Sequence, residues 1–276
     1  MLDTRFKSFS RRVRLETLEM IQRSKSSHIG ACLSLVDILS VLYLGILKIF
    51  PNDALNPNRD RCIISKGHAA AAVYATLAEI GYFNKNELAT YCRNGSYLTG
   101  HLNHKVPGVD FSTGSLGHGL SVGCGIAILE KRENQGFNTF VISSDGDLNE
   151  GSTWEGIMFA AHHKLSNLIM IVDYNRSQAL GNSDKIINLE TLESKFKAFN
   201  WLVKVVDGHN HISIYNALIS CKKCKECKPK VLIANTIKGK GITFMENELL
   251  WHYKNPIGEH YHKAKKELEF DLCEQQ

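Results

Sequence analysis

Polar residues that suit a divalent metal ion follow two apolar segments of this sequence. Asp145 and Gly146 come just after the apolar residues 139–143, and Asn175 stands thirty positions beyond Asp145, after a second apolar segment. A carboxylate, an amide oxygen and a backbone carbonyl are ligands that a hard cation such as Mg²⁺ accepts, usually together with phosphate oxygens. Gly146 lets the backbone approach a phosphate closely. The spacing therefore predicts a site for a metal ion and a phosphorylated group.

The segments that position these residues alternate between predicted strands and helices. Short apolar runs predict strands at residues 61–64, 139–143, 168–172, 203–206 and 231–234. Helical patterns lie between them, and Ser34 is interpreted as the N-cap of a helix over residues 35–47. Because the strands lack a polar face, we expect an α/β fold in which a parallel sheet is sandwiched between helices. Ligands of such folds bind at the carboxyl ends of the strands.

Length and composition bound the organisation of the chain. Its 276 residues, 43% of them apolar, can form one large domain or two small ones with a full core. We favour a single domain over residues 1–276 that ends in a short charged tail at about 263–276. Residues 33–50 are the most apolar stretch, but Asp37 and Lys48 interrupt it, which favours a buried helix over a membrane span.

Charge and cysteine content narrow the class of protein further. The net charge of +5 arises largely from lysines in the C-terminal third, which we interpret as a solvated face. Basic residues also suit the binding of phosphorylated small molecules. The sequence lacks the interleaved aromatic and basic residues that would favour the binding of nucleic acid. Eight cysteines without a secretory signal predict reduced thiols and a cytoplasmic location. Three of them, Cys221, Cys224 and Cys227, are expected to be surface thiols, with a structural metal site as the alternative.

Several ordered blocks of the sequence resemble the transketolase family. The segment from Asp145 to Asn175 resembles the cofactor motif of thiamine-diphosphate enzymes, with Ser144 in place of its usual first glycine. The other matching blocks are residues 27–30, 33–39, 60–69, 100–101, 107–109, 113–119, 145–151, 236–241 and 251–252. The resemblance extends over about residues 10–256. It implies the diphosphate-binding type of the thiamine-diphosphate-binding fold.

The resemblance also implies which residues hold the cofactor. The metal, Mg²⁺ or else Ca²⁺ or Mn²⁺, would be bound by Asp145, Asn175 and the carbonyl of Ser177, and would anchor the diphosphate of thiamine diphosphate. The implied cofactor contacts are His68, Gly114, Ser115, Leu116, Asp145, Gly146, Glu150, Asn175 and His252.

The implied reaction transfers a two-carbon ketol unit between sugars or sugar phosphates. The cofactor supplies the carbon chemistry, and the protein supplies orientation and proton transfer. Four histidines at family positions would do this catalytic work in the substrate channel: His28, His68, His101 and His252. Histidine suits the task because it titrates near neutrality. Two positions depart from the family pattern, with His118 in place of glutamine and Tyr253 in place of glycine.

A second chain is part of the expectation. Transketolases continue into a pyrimidine-binding domain, which carries the glutamate that protonates the cofactor ring, and into a C-terminal domain. This sequence stops at Gln276. We therefore expect one subunit of a split enzyme, in a heterotetramer with a C-terminal transketolase-like subunit. Glu150 and Glu155 would meet the opposite subunit.

Two alternatives remain open at this point. One keeps the cofactor but uses a 2-oxo acid donor for acyl or ketol transfer in an unusual-sugar pathway. The histidine set favours a polyhydroxy substrate over pyruvate. The other alternative is a basic nucleic-acid-binding or regulatory protein on the same fold, since fold does not fix function. The lysines near residue 225 are its only support, and the predicted partners include neither nucleic acid nor membrane.

Overall fold

Five parallel strands form the centre of the computed structural model, which describes residues 2–273. The strands are β1 (Arg61–Ile64), β2 (Thr139–Ser144), β3 (Leu168–Tyr174), β4 (Leu202–Asp207) and β5 (Lys230–Asn235), in the order β1-β2-β3-β5-β4. All five predicted strands are present, extended by one or two residues in four cases. The predicted α/β fold with a parallel sheet is confirmed.

Helices cover both faces of the sheet. They are α1 (Leu2–Ser24), α2 (Ile29–Val41), α3 (Ala70–Ile80), α4 (Gly119–Glu133), α5 (Gly151–His162), α6 (Ser183–Ile186), α7 (Leu192–Ala198), α8 (His211–Lys223), α9 (Leu250–Tyr253) and α10 (Glu259–Cys273). One apolar core joins α1, α2, α3, α8 and α10 to the sheet, and a second joins α4, α5 and α7 to its other face. Along β2, Phe140 and Ile142 enter the first core and Val141 the second. This two-sided burial explains why β2 and β3 are largely apolar, whereas the edge strand β4 carries the exposed Lys204 and Val205.

The register of the strands brings the site residues side by side. Ser144 at the end of β2 is opposite Asp173 near the end of β3, and β5 pairs with β3 on the other side. Every residue of β2 and β3 is buried. Because the strands are parallel, the residues that follow them emerge at one edge of the sheet.

Helix α2 begins earlier than the sequence predicts. It starts at Ile29, with His28 at the N-cap in the left-handed region (φ 73°), so the interpretation of Ser34 as an N-cap is wrong. Ser34 lies inside the buried helix, where its hydroxyl donates to Asp173 Oδ2 at 2.7 Å. A serine that serves a distant carboxylate has the same sequence signature as a capping serine.

The apolar stretch near the N-terminus and the charged C-terminal tail both pack into the protein. Residues 29–46, comprising α2 and the turn that follows it, are apolar and long enough to cross a membrane, but 89% of this stretch is buried inside the protein. Residues 263–269 of the predicted charged tail belong to α10, where Ala264 and Leu268 are buried. Lys265 of α10 donates to Glu19 of α1 at 2.8 Å. Residues 274–276 lie outside the described residues.

Candidate active site

A cavity of about 200 Å³ opens at the carboxyl edge of the sheet. Most of the residues predicted from the sequence line it: His28, His68, His101, Leu116, Asp145, Gly146, Asn175, Ser177 and His252. Six further residues that the sequence did not single out for this site line it as well: Ala31, Lys66, Ser144, Gln178, Ala179 and Lys238. Loops from four strands and the start of α2 therefore converge on one space.

The four predicted histidines form a contiguous group. The ring centroid of His28 lies 5.3 Å from that of His68, 5.8 Å from that of His101 and 5.0 Å from that of His252. The backbone amide of His28 donates to the carbonyl of His252 at 3.0 Å, which ties the start of α2 to α9. Residues distant in the sequence thus present imidazoles to the same cavity.

Burial and neighbouring positive charges keep three of these imidazoles neutral, those of His28, His68 and His252. Burial lowers the pKa of His28 to about 4, assisted by His101, Lys238 and Lys66, and lowers that of His252 to about 3, assisted by Lys238 and His28. Burial, together with Lys66, also holds the pKa of His68 well below its ordinary value. Near neutral pH each of these rings has one donor and one acceptor nitrogen.

The predicted metal ligands lie on adjacent loops. Asp145 is buried, and its Oδ2 accepts from the Ser183 hydroxyl at 2.7 Å. Burial raises the pKa of Asp145 to about 6, opposed by the Ser183 hydrogen bond and reinforced by the charge of Asp173. Asn175 Oδ1 accepts from the amide of Ser177 at 3.1 Å, which fixes the loop that carries the Ser177 carbonyl. A buried carboxylate of raised pKa favours a bound cation, since the cation offsets the cost of its charge.

Two buried lysines complete the polar wall. Lys66 is 1% exposed and its ammonium pairs with Asp173 at 2.5 Å, while Lys238 is also 1% exposed and donates to Ser177 Oγ at 3.1 Å. Burial lowers the pKa of Lys238 to about 8, with repulsion from Lys66 as the next contribution. The interpretation of the C-terminal lysines as a solvated face is therefore wrong for Lys238, and also for the buried Lys230. Lys66 and Lys238 each fall in a matching sequence block, but sequence alone does not reveal which lysines are buried.

Asp173 is the common anchor of this wall, although the sequence pattern does not identify it as a site residue. Its carboxylate is fully buried and accepts hydrogen bonds from Ser34, Lys66 and Thr236. Although burial opposes its ionisation, the Lys66 ammonium holds the pKa of Asp173 below its ordinary value. One carboxylate thus joins α2, the loop after β1 and the loop after β5 to the end of β3.

Of the three residues predicted in the glycine-rich loop, one lines the cavity in this chain. Leu116 lines the cavity, whereas Gly114 and Ser115 are exposed and are not among the lining residues. A Cβ on Gly146 would lie 2.9 Å from Leu116 Cδ1, so a larger residue there would displace the Leu116 side chain. The loop thereby packs directly on the segment that carries Asp145.

Glu150 and Glu155 lie outside the cavity lining in this chain. Both are exposed, Glu150 at the N-cap of α5 and Glu155 in its second turn. They border an exposed surface of α4 and α5 on which Leu129 is 54%, Met158 49% and Phe159 40% exposed. We call this surface, defined by His118, Leu129, Glu155, Met158 and Phe159, the α4–α5 face.

The residues of the cavity fit a metal-bound diphosphate. Buried ammonium groups favour phosphate oxygens, and the carboxylate, amide and carbonyl oxygens favour Mg²⁺. His252 Nδ1 is buried and has no hydrogen-bond partner among the described residues, as expected of an atom that binds a ligand.

The three clustered cysteines form no metal-binding group in the described part of the chain. The prediction that they are surface thiols is wrong for Cys221, which is buried.

The fold and the site together define a domain that binds a diphosphate cofactor at the carboxyl edge of a parallel sheet. Residues 7–274 match the family model described as transketolase, thiamine diphosphate binding domain. The chain therefore belongs to the transketolase family, and thiamine diphosphate with a divalent metal is the cofactor of the domain it contains.

Similar proteins include separate subunits and full-length enzymes. The chain is 36% identical over 259 residues to a subunit of the apulose-4-phosphate transketolase of Phocaeicola vulgatus, covering 94% of this chain and 92% of that one. It is 39% identical to the 6-deoxy-6-sulfo-D-fructose transketolase subunit SqwG of a Clostridium species, covering 93% and 94%. The crystal structure of Campylobacter jejuni transketolase superposes with a TM-score of 0.90 at 32% identity. That alignment covers 96% of this chain but 43% of the solved chain, so this chain spans less than half of the full-length enzyme.

Proposed function

We propose that this chain is the cofactor-binding subunit of a two-chain transketolase, which transfers a two-carbon ketol unit between sugars or sugar phosphates. The observation that carries the proposal is the single cavity in which four histidines, the oxygen ligands and two buried lysines come together. Oxygen ligands and lysines alone would suit many phosphate sites. The addition of neutral imidazoles supplies the proton transfers that ketol transfer requires.

The metal-binding half of the cavity holds the diphosphate. In this proposal Asp145, Asn175 and the Ser177 carbonyl bind the divalent ion, with Mg²⁺ favoured by the oxygen set. Lys66 and Lys238 would bind the phosphate oxygens, and Gly146 would leave room for these oxygens near the backbone. When bound, thiamine diphosphate supplies a thiazolium carbon that can be deprotonated, can add to a ketose carbonyl and can accept electron density from a broken carbon–carbon bond.

The histidines act on the substrate and on protons. His28 and His101 would bind hydroxyl groups of a ketose, since imidazole nitrogens can donate or accept hydrogen bonds. We propose that His68 and His252 lie near the diphosphate, where His252 Nδ1, which has no hydrogen-bond partner among the described residues, could bind a ligand oxygen. We propose catalytic roles for all four residues. Four convergent imidazoles favour a polyhydroxy substrate over a 2-oxo acid.

The nature of the sugar is narrowed by two relatives. They are named for apulose 4-phosphate and for 6-deoxy-6-sulfo-D-fructose, and both sugars carry an anionic group. We propose that the donor of this enzyme is likewise a ketose with an anionic terminal group. Transfer from an unusual sugar of this kind would be a specific form of the same reaction. The partner subunit would contribute to the selection of the sugar.

A partner subunit is supported by the relatives that are themselves named as subunits and that align over nearly their whole length. We propose that the partner carries the pyrimidine-binding and C-terminal domains. Glu150, Glu155 and the α4–α5 face would meet neighbouring subunits, giving a cytoplasmic heterotetramer with two copies of each chain. The exposed apolar side chains of that face support an interface there.

The test is to co-produce this chain with the product of the neighbouring reading frame and to assay the purified complex with thiamine diphosphate and Mg²⁺. Xylulose 5-phosphate and ribose 5-phosphate are the first substrates, followed by sulfonated and branched ketoses. Ketol transfer that requires both chains supports the proposal. A complex that binds the cofactor yet uses only 2-oxo acids as donors would refute ketol transfer.

A further inference from the structure

A buried polar cluster lies beneath the cofactor cavity. Its centre is the Asp37 carboxylate of α2, which is 4% exposed and accepts from both terminal nitrogens of Arg14, at 3.0 and 2.7 Å. His209 Nδ1 lies 2.7 Å from Asp37 Oδ2, and His211 Nε2 lies 3.1 Å from Oδ1. Burial opposes ionisation, but Arg14 and the two histidines hold the pKa of Asp37 well below its ordinary value. The cluster is therefore a fixed anion with four hydrogen-bond donors around it.

His209 extends this cluster to a backbone amide. Its Nε2 accepts from the amide of Ile237 at 2.8 Å. An accepting Nε2 has no proton, so the ring proton is on Nδ1, which donates a hydrogen bond to Asp37. The imidazole is thus held at both nitrogens, with Asp37 on one side and the segment after β5 on the other.

The amide that His209 binds belongs to the residue before Lys238. The ammonium of Lys238 lines the cofactor cavity, and its backbone is part of residues 236–241. Other bonds fix the flanks of this segment: Gly239 donates to the Gly30 carbonyl at 3.0 Å, and Arg14 Nε donates to the Lys240 carbonyl at 3.1 Å. Among the described residues, His209 is the hydrogen-bond partner of the Ile237 amide, so its loss would leave that amide unpaired.

We propose that His209 is a positioning residue for Lys238, which it holds in the cofactor cavity by binding the Ile237 amide. The inference rests on the proposed function only in taking Lys238 as a contact of the diphosphate. His211 binds the same carboxylate but is not bonded to residues 236–241. It therefore separates a general effect of the Asp37 cluster from the specific effect of His209.

Three variants of the full chain test this role. His209→Asn keeps a donor near the position of Nδ1 and loses the acceptor for Ile237, whereas His209→Gln places an amide oxygen near the position of Nε2. His211→Asn is the matched control. Hydrogen–deuterium exchange of the Ile237 amide is measured on the chain without cofactor. The dissociation constant of thiamine diphosphate is then measured with Mg²⁺ in the complex with the partner subunit.

The expected result is specific to one substitution. In His209→Asn the Ile237 amide exchanges about tenfold faster, as loss of one hydrogen bond predicts, and the cofactor binds about tenfold more weakly, as is usual for residues that orient a ligand group. His209→Gln restores both properties, and His211→Asn changes neither although it lowers the melting temperature. Unchanged exchange and affinity in His209→Asn, or equal changes in His211→Asn, would overturn the inference. If wild-type protein binds no cofactor, the proposed function fails, while the exchange rates still decide the role of His209.

Discussion

At the scale of single residues, the site combines side chains that are costly to bury. Asp145 is 2% exposed and its pKa is raised to about 6 by burial, so the protein alone stabilises its charge poorly. Lys238 has the opposite shift for the same physical reason, with its pKa lowered to about 8. A metal ion beside the carboxylate and a phosphate beside the ammonium would offset both costs.

Replacement of Asp145 or Asn175 by alanine is expected to abolish metal-dependent cofactor binding. Each change removes one of the oxygen ligands that a divalent ion requires. Isothermal titration of thiamine diphosphate in the presence and absence of Mg²⁺ measures the effect. Asp184→Ala, which removes an exposed carboxylate from the same region, is the control and should bind normally. Wild-type affinity in either ligand variant would refute the metal assignment.

Lys238→Met is expected to weaken cofactor binding by about 10- to 100-fold. A hydrogen bond to a charged group contributes about 1.5–3 kcal/mol, and methionine keeps the length of the side chain without its charge. Lys240→Met is the matched control, because the Lys240 ammonium pairs with Glu246 at 3.2 Å and Lys240 does not line the cavity. The same titration measures both variants. Equal losses of affinity would show a general effect of positive charge.

At the scale of elements, the Lys66–Asp173 pair holds together the strand ends that carry the site. Asp173 belongs to β3, Lys66 follows β1, Thr236 follows β5 and Ser34 lies in α2. These segments belong to different parts of the fold. Because all of them bind the same buried carboxylate, Asp173 fixes their relative positions. The architecture of the site depends on this contact as well as on the sheet register.

Asp173→Asn is expected to lower the free energy of unfolding by about 3–5 kcal/mol. The substitution leaves the Lys66 ammonium buried without its counter-charge, which is much more costly than loss of a surface pair. Glu193→Gln is the control, since it makes the same chemical change in the exposed Glu193–Lys197 pair. That control should change stability by less than about 1 kcal/mol. Urea unfolding measures both, and similar small values would contradict the anchoring role of Asp173.

At the scale of the whole molecule, the α4–α5 face is an exposed apolar surface on two neighbouring helices. It carries the exposed side chains of Leu129, Met158 and Phe159 beside the exposed Glu155. A contiguous apolar surface bordered by polar residues marks an interaction site more often than scattered exposed residues do. Glu150 is the N-cap of α5, the helix that presents Met158 and Phe159 on this face.

Introduction of charged side chains into the apolar face is expected to prevent assembly without unfolding the chain. Met158→Glu combined with Phe159→Lys should reduce the mass of the complex with the partner subunit, measured by sedimentation velocity, because charges would be buried in the interface. Leu55→Glu is the control, since Leu55 is 89% exposed and remote from this face. The melting temperature of the isolated chain should change little in either case. An intact complex in the double variant would place the interface elsewhere.

The sequence by itself determined the five strands, the parallel α/β class, the family and most of the cavity lining. Strand residues buried on both faces must be apolar, so β2 and β3 were recognisable from local composition. Asp145, Asn175 and the four histidines line the cavity, and they were recognisable because they fall at fixed places in the blocks that match the family. Local chemistry carried these predictions, and no packing information was needed for them.

Only the tertiary structure decided which polar residues are buried together. Lys66 and Lys238 are lysines like any others in the sequence, and their burial depends on Asp173 and on the loops after β1, β3 and β5. Ser34 looked like a helix cap because its long-range partner is invisible in the sequence. Likewise, the hydrogen bonds of His209 join Asp37 near the N-terminus to Ile237 in the C-terminal third. Burial and pairing arise when distant segments pack, and for that reason these residues could be assigned only from the folded chain.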